Sequence, residues 1–518
     1  MNRLAVILFF IALISKGLIW VMFIPIWHFP DEQAHFAQIN YYAERKQLTN
    51  YHAELDLSNE IYLSEVILGT NRDWQGKNNY TFHPSFNIAY TTSLTGNFED
   101  QIRSIPLVER SHMVKRESTF YPPLYYLLSL YPYQLVYKSS LFERVFAVRL
   151  LSLGLSVVMV AYAYKFYLLA FKNKILSMAA TAMVGFHPML TFVGSGVNSD
   201  ALFNTLFSAG IYLGLRTIIY GLSFRAALLM TALIYLSLLT KPQGNILIAI
   251  FLPPLIISFL KKNLINRIFV FFVIATVVFF MLPRIIDFFS GNQYLPDVPP
   301  YSQRMISLSF INHLKDTIRH TVSEVLPWYW GVFKWLGITL PRSVNRVINR
   351  LLFIAVIGIV FKLFFILRKW EKTRESQAFF YFIFVSCVYF SAITIYDYLF
   401  IRGNGFSIGI QGRYFFPAIS AHMGLILMGL TAFLRNEKWR ARLAKAITYS
   451  MVFLHLIAIY TVLASYYMVT NLWLFFNQAS QYKPLLAKYP YLLLWIIFFA
   501  SSLTAFVVGL FRMKIKET

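Results

Sequence analysis

Thirteen apolar runs, most of them close to the twenty residues that cross a bilayer as a helix, decide what this chain can fold into. They lie at 4–27, 121–137, 144–170, 175–192, 199–219, 224–240, 244–260, 264–285, 349–367, 376–400, 413–434, 446–468 and 490–511. In lipid the backbone N–H and C=O groups must pair within their own segment, so runs of this kind are helices. The fold class is therefore an all-α polytopic membrane protein. The chain is 58% hydrophobic and 14% charged, as that class requires. Its net charge of +24 does not point to nucleic acid. The basic residues sit in short loops between runs, where they set orientation and meet anionic lipid. One cysteine, Cys387, gives no disulfide framework.

Loop charge supplies the topology. Arg512, Lys514 and Lys516, the segment Arg435 to Lys445, the group Arg368, Lys369, Lys372 and Arg374, the group Lys261, Lys262 and Arg267, the pair Arg216 and Arg225, and the pair Lys172 and Lys174 all mark cytoplasmic ends. Alternating back from these, the N-terminus is cytoplasmic only if one early run does not cross. The run 121–137 is the weakest, because Tyr121-Pro122-Pro123-Leu124-Tyr125-Tyr126 opens it with two prolines. It reads as an outer interfacial helix. About twelve spans result, with both termini cytoplasmic and residues 1–27 an uncleaved anchor. Two large outer regions remain, 28–143 and 286–348, and the first holds more than half of the acidic residues. The stretch Pro327 to Trp335 reads as a second interfacial helix, since indole rings prefer the headgroup zone. No soluble domain is expected: 1–434 form the main module with both outer regions, and 435–518 add C-terminal spans.

Chemistry concentrates in Pro30-Asp31-Glu32-Gln33-Ala34-His35, just past the first span. Carboxylates at a membrane surface are costly unless they face water, a partner or a substrate. A helix opening near Pro30 places Asp31 and His35 on one face, four residues apart. That pattern suits an acid/base or metal-assisted reaction at the interface. The charge-derived topology sends other polar groups to the same side: Asn198 and Asp200, Lys241 in Thr240-Lys241-Pro242, Gln411-Gly412-Arg413-Tyr414, and Arg144 and Arg149. Convergence of Asp31, Glu32, His35, Asp200, Lys241 and Arg413 is the central expectation. Each also has a plainer role. Asp31, Glu32 and Asp200 suit helix starts, and Lys241 can snorkel to headgroups. Arg413 suits a phosphate, because a guanidinium fork matches that oxyanion. Lys16, inside the first run, must be paired or face a wet cavity. The histidines form no HExxH or Cys-rich pattern, so no structural zinc site is expected.

The acid-rich outer loop after the first span and the Pro-Pro-Leu-Tyr-Tyr segment resemble the GT-C superfamily of integral membrane glycosyltransferases. More closely, Pro30-Asp31-Glu32 with His35, Asn198-Ser199-Asp200-Ala201-Leu202, Trp330-Gly331-Val332-Phe333 and Gly412-Arg413-Tyr414 are similar to a bacterial family of membrane proteins of unknown function placed near that superfamily. The resemblance implies a GT-C-like fold and a polyprenyl-phosphate-linked sugar donor. The acceptor would be a cell-surface glycan, lipid or protein at the outer face of the bacterial cytoplasmic membrane. It implies an acidic base, Asp31 or Glu32, with His35 as a departure from relatives that carry only an Asp-Glu arrangement. Arg413 and Lys241 would hold the donor phosphate, with Asp200, Asn198, Tyr121 and Arg149 completing the substrate site. A divalent cation (Mg or Mn) would be held by Asp31 and Glu32 if the reaction needs one. The competing readings are a polymerase or ligase of lipid-linked glycans and a transporter or flippase for such lipids. The latter calls for matching halves with broken helices and midplane charges.

Overall fold

The computed structural model describes residues 3–48, 56–70, 88, 90, 97–115, 121–260, 308–334, 336–369 and 373–513. Among these residues, nine helices are long and apolar enough to cross a membrane: Arg3–Phe23, Leu141–Phe171, Asp200–Tyr220, Pro242–Leu260, Arg342–Lys369, Arg374–Asn404, Gly412–Thr431, Glu437–Tyr466 and Tyr491–Phe511. The pair Lys174–Gly185 and Pro188–Ser195, bent by 57°, makes a tenth if taken as one span. Pro188 has no N–H to continue the first helix, and the His187 ring caps the second by accepting from Leu190 N at 3.3 Å. The protein is thus an all-α, multi-pass membrane protein, with nine or ten spans described rather than twelve. Two expected spans account for the difference. Phe224–Leu238, with 15 residues, is shorter than the helices counted above, although it returns the chain from the far end of Asp200–Tyr220 to Lys241 beside Asp200. The run 264–285 and the basic cluster at 261–267 lie outside the described residues.

The run at 121–137 forms a helix of 12 residues, Leu124–Leu135, beginning after the two prolines. The second expected interfacial helix is corrected. Only Leu326–Trp330 is helical, and Val332–Phe333 then pairs antiparallel with Ile338–Thr339. Tyr329 and Trp330 are buried rather than set at a headgroup surface. Trp330 stacks on the His187 ring at 4.9 Å, so aromatic packing at the broken span holds what amphipathicity alone would have sent outward. The long segment after the first span also contains strand pairing that alternation did not announce: Asp56–Ser58 pairs with Met113–Lys115, Leu57 opposite Val114.

The first span lies deep in the bundle. Tyr491–Phe511 runs along it, with Phe9 edge-on to Phe506 at 5.4 Å and Ser15 hydrogen-bonded to Ser502 at 2.6 Å. Lys16 is buried, donates to the Thr191 hydroxyl and lies 5.5 Å from the Phe186 ring. Arg342–Lys369 stands at the periphery, and its Phe353, Val360 and Phe364 are exposed as lipid-facing residues are. Ile348, Ala355, Gly358 and Ile366 form its buried face, and it runs against Ile419–Thr431. A Cβ on Gly358 would sit 2.0 Å from the Gly429 carbonyl oxygen, so the two backbones meet directly. Replacing Gly429 by Leu should lower the thermal unfolding midpoint in detergent, the cost being at least the ~1–3 kcal/mol of an overpacked core. Tryptophan fluorescence during heating checks this, and an unchanged midpoint contradicts the close contact.

Candidate active site at one rim of the bundle

The rim where the first span ends gathers the polar residues. Asp31 is the N-cap of the helix Glu32–Arg45, yet its side chain makes no capping hydrogen bond. Its backbone is left-handed, with φ 55°. That conformation is uncommon outside glycine and asparagine-like residues and is characteristic of functional positions. The carboxylate is turned to another part of the chain: Oδ2 accepts from Arg413 Nη2 at 2.7 Å. Burial pushes the Asp31 carboxyl up, and the facing guanidinium outweighs it, holding the group below its ordinary value of 3.8. Asp31 nevertheless keeps 35% of its side-chain surface open, against 8% for Arg413. Of the rim carboxylates it is the one an incoming group can reach.

Arg413 is placed by a close backbone approach. It belongs to the 3₁₀ turn Gly412–Ala418, which packs against the helix Leu326–Trp330. A Cβ on Gly412 would lie 2.3 Å from the Tyr329 nitrogen, so only glycine fits there. Gln411 Oε1 accepts from Arg413 Nε at 3.0 Å. The preceding loop is pinned by Asp397, whose Oδ1 accepts from Ser407 Oγ at 2.8 Å and from Ile408 N at 2.9 Å. His320 adds a donor to the Ile410 carbonyl at 3.1 Å.

A second ion pair lies beside the first. Lys241 Nζ donates to Asp200 Oδ1, with both side chains nearly enclosed. Burial pulls the Lys241 ammonium down, and Asp200 outweighs it, so the group stays charged. Lys241 also stands 4.6 Å over the Tyr121 ring. Asp200 opens its span, and its N–H is capped by Asn198 Oδ1 at 2.8 Å. Asn198 Nδ2 in turn donates to the Pro30 carbonyl at 3.1 Å, tying the start of that span to the segment before Asp31. The turn carrying Lys241 is fixed to Leu124 N through the Leu239 carbonyl at 2.9 Å. Asp31, Asp200, Lys241 and Arg413, far apart in sequence, all act electrostatically on one imidazole, that of His35.

His35 lies between two tyrosines, parallel to Tyr121 at 5.6 Å and to Tyr126 at 5.9 Å. Its Nδ1 pairs with the Tyr126 hydroxyl at 2.8 Å. Burial is the main cause that lowers its pKa to about 3. His35 is therefore neutral at any working pH, a hydrogen-bonding group rather than a cation. Tyr126, in the Pro-Pro-Leu-Tyr-Tyr segment, is a site residue that spacing did not single out. Asp397 is another support missed, although an Asp inside an apolar run was its signal.

Glu32 and Arg149 stand apart from this cluster. Arg149 donates through Nε to Glu32 Oε1 at 2.7 Å and through Nη2 to Oε2 at 2.6 Å, both side chains fully buried. Glu32 also accepts from Trp27 N at 2.9 Å and Val197 N at 3.2 Å. Arg149 donates further to the carbonyls of Val21, Ile24 and Pro25. Both groups have their hydrogen-bonding capacity filled by the protein. Arg144 is likewise paired, with Glu60 and the Tyr133 hydroxyl. The two carboxylates expected to share a divalent ion face different partners, so this donor set does not fit one. Among the described residues no three His, Cys, Asp or Glu side chains group as a metal site.

Residues 14–422 match the family described as Predicted membrane protein (DUF2142), and the chain belongs to that family. No curated protein matches it. Among solved structures it is similar to ArnT from Cupriavidus metallidurans in the apo state, at 13% identity and a TM-score of 0.41, covering 95% of this chain and 74% of that one. The same protein bound to undecaprenyl phosphate matches at 14% identity and a TM-score of 0.40, over 98% of this chain and 76% of that one. An Archaeoglobus fulgidus oligosaccharyltransferase complex with Zn and sulfate matches at 13% identity and 0.38, over 78% and 52%.

Two outcomes are expected. Arg149→Met strands a buried carboxylate and should cost about 3–5 kcal/mol. Pairing it with Glu32→Gln should recover part of the folded yield, read by size-exclusion chromatography. His35, and His28, whose pKa burial also lowers to about 3, stay neutral in the fold but take protons when unfolded. Both are depressed below the ordinary 6.5, so stability should fall as pH drops through about 6.5 toward about 3. Thermal midpoints at descending pH check this, and an equal slope in His35→Gln contradicts it for that residue.

Proposed function

We propose that this member of the DUF2142 family is a membrane glycosyltransferase. It transfers a sugar from a polyprenyl-phosphate-linked donor to a glycan, lipid or protein acceptor at the outer face of a bacterial cytoplasmic membrane. The observation that carries this reading is the meeting, at one rim of the bundle, of a reachable carboxylate with two enclosed cations brought from remote segments. Orientation follows from loop charge, which leaves this rim outside and both termini in the cytoplasm. Asp31 lies in the acid-rich loop that resembles the GT-C superfamily, and Asp200 and Arg413 lie in the motifs Asn198-Ser199-Asp200-Ala201-Leu202 and Gly412-Arg413-Tyr414.

In the reaction the acceptor hydroxyl loses its proton to Asp31 as its oxygen attacks the anomeric carbon. The bond from that carbon to the phosphate oxygen breaks, and the phosphate keeps the electron pair. Arg413 and Lys241 stabilise the charge it gains. Asp200 holds Lys241, Asn198 fixes the approach of the two segments, and Tyr121 and Tyr126 position the neutral His35 beside the base. Glu32 and Arg149 support the scaffold. No step needs a divalent ion.

Purified protein given a panel of polyprenyl-phosphate sugars and a total glycan and lipid extract should transfer sugar. Asp31→Asn should reduce transfer by about 10²–10⁴-fold, the usual worth of a positioned base. Arg413→Ala should also abolish it, and EDTA should leave it unchanged. Transfer that survives Asp31→Asn removes Asp31 as the base, and inhibition by EDTA restores a metal to the mechanism.

A further inference from the structure

We infer that Arg413 is a latch on the base as well as a ligand for the donor: in the resting protein it holds Asp31 in an ion pair, and the arriving donor phosphate draws it off, so Asp31 accepts a proton only after the donor is bound. The inference rests on the function proposed above and adds an order of events to it.

The rim cluster contains two carboxylates, Asp31 and Asp200, and two cations, Lys241 and Arg413, each cation on one carboxylate. Among the described residues of the cluster the charges cancel, so a donor phosphate that binds there competes with a carboxylate for its cation. The two pairs are unequally accessible. The side chains of Lys241 and Asp200 are 11% and 13% exposed, whereas Asp31 is 35% exposed. Arg413 itself is 8% exposed, so an anion reaches it from the side where the open Asp31 carboxylate can swing away, whereas Asp200 is enclosed with Lys241. Arg413 is tethered through Nε to Gln411, and its Nη2 contact to Asp31 is a single hydrogen bond. A phosphate offers the guanidinium a two-point fork instead.

Exchange of partners changes the base in one direction. Asp31 loses the cation that stabilises its charged form and gains an anion nearby, and both raise its affinity for a proton. The acceptor hydroxyl then gives its proton to the Asp31 carboxylate, the new C–O bond forms at the anomeric carbon, and the departing phosphate keeps the electrons and Arg413. When the carrier phosphate leaves, Arg413 returns to Asp31. Donor therefore binds first and acceptor second, and an acceptor alone meets a base held inactive.

The test measures binding rather than turnover. Farnesyl phosphate would be titrated calorimetrically into detergent-purified wild type, Asp31→Asn, Asp31→Gly and Arg413→Ala. Removing the carboxylate ends the competition for Arg413, so both Asp31 variants should bind about tenfold tighter than wild type while transferring no sugar. Glycine suits the left-handed backbone at this position, so Asp31→Gly keeps the test valid if the Asn variant folds poorly. Arg413→Ala should lose the binding. Equal or weaker binding by both Asp31 variants overturns the latch and leaves the base assignment to the transfer assay. Absence of binding in wild type and all variants overturns the phosphate site itself.

Discussion

The buried pair of Glu32 and Arg149 is the interaction on which the rim depends. It joins three parts of the chain at one point: the end of the first span through the Val21, Ile24 and Pro25 carbonyls, the start of the outer helix through Glu32, and the loop before Asp200 through Val197 N. An ion pair without solvent is costly to assemble and is stable only when its remaining donors and acceptors are filled. Here they are filled by backbone groups, so the pair fixes directions as well as charge. Phe29 and Phe146 close over the guanidinium at 4.6 Å and 5.0 Å and exclude water. With Glu32 locked inward, the adjacent Asp31 is turned the other way, toward Arg413. Two neighbouring carboxylates thereby acquire opposite surroundings, one enclosed in the scaffold and one partly open.

The rim cluster is a balanced arrangement of charge. Four ionised groups near a membrane surface would be expensive singly, and pairing them makes the empty site stable. Pairing also sets the chemistry, because any anion that enters must break a contact to gain one. Neutral His35, held between Tyr121 and Tyr126, adds a polar wall without adding a charge that would upset the balance.

Much of this was legible in the sequence, and the reasons are specific. The helical class follows from apolar runs of bilayer length, and the grouping of Asp31, His35, Asp200, Lys241 and Arg413 is expected because alternating loop charge sends the ends that carry them to one side. The partners were not legible. Nothing local tells Glu32 from Asp31, since the difference arises from an arginine 117 positions on. The division of Pro327 to Trp335 into a short helix and a strand pair depends on the distant His187 and Gly412, which receive its aromatic rings and backbone. The helix expected at 224–240 is trimmed to 15 residues, because Ser223 caps it at one end and the turn before Pro242 stops it at the other.

The central claim is that one guanidinium serves both the base and the donor. A cryo-EM structure of the protein in nanodiscs with a bound polyprenyl phosphate addresses it most directly. The account predicts phosphate oxygens on Arg413 and Lys241, with the Asp31 carboxylate released. A phosphate bound elsewhere, with the Asp31–Arg413 contact intact, would contradict it.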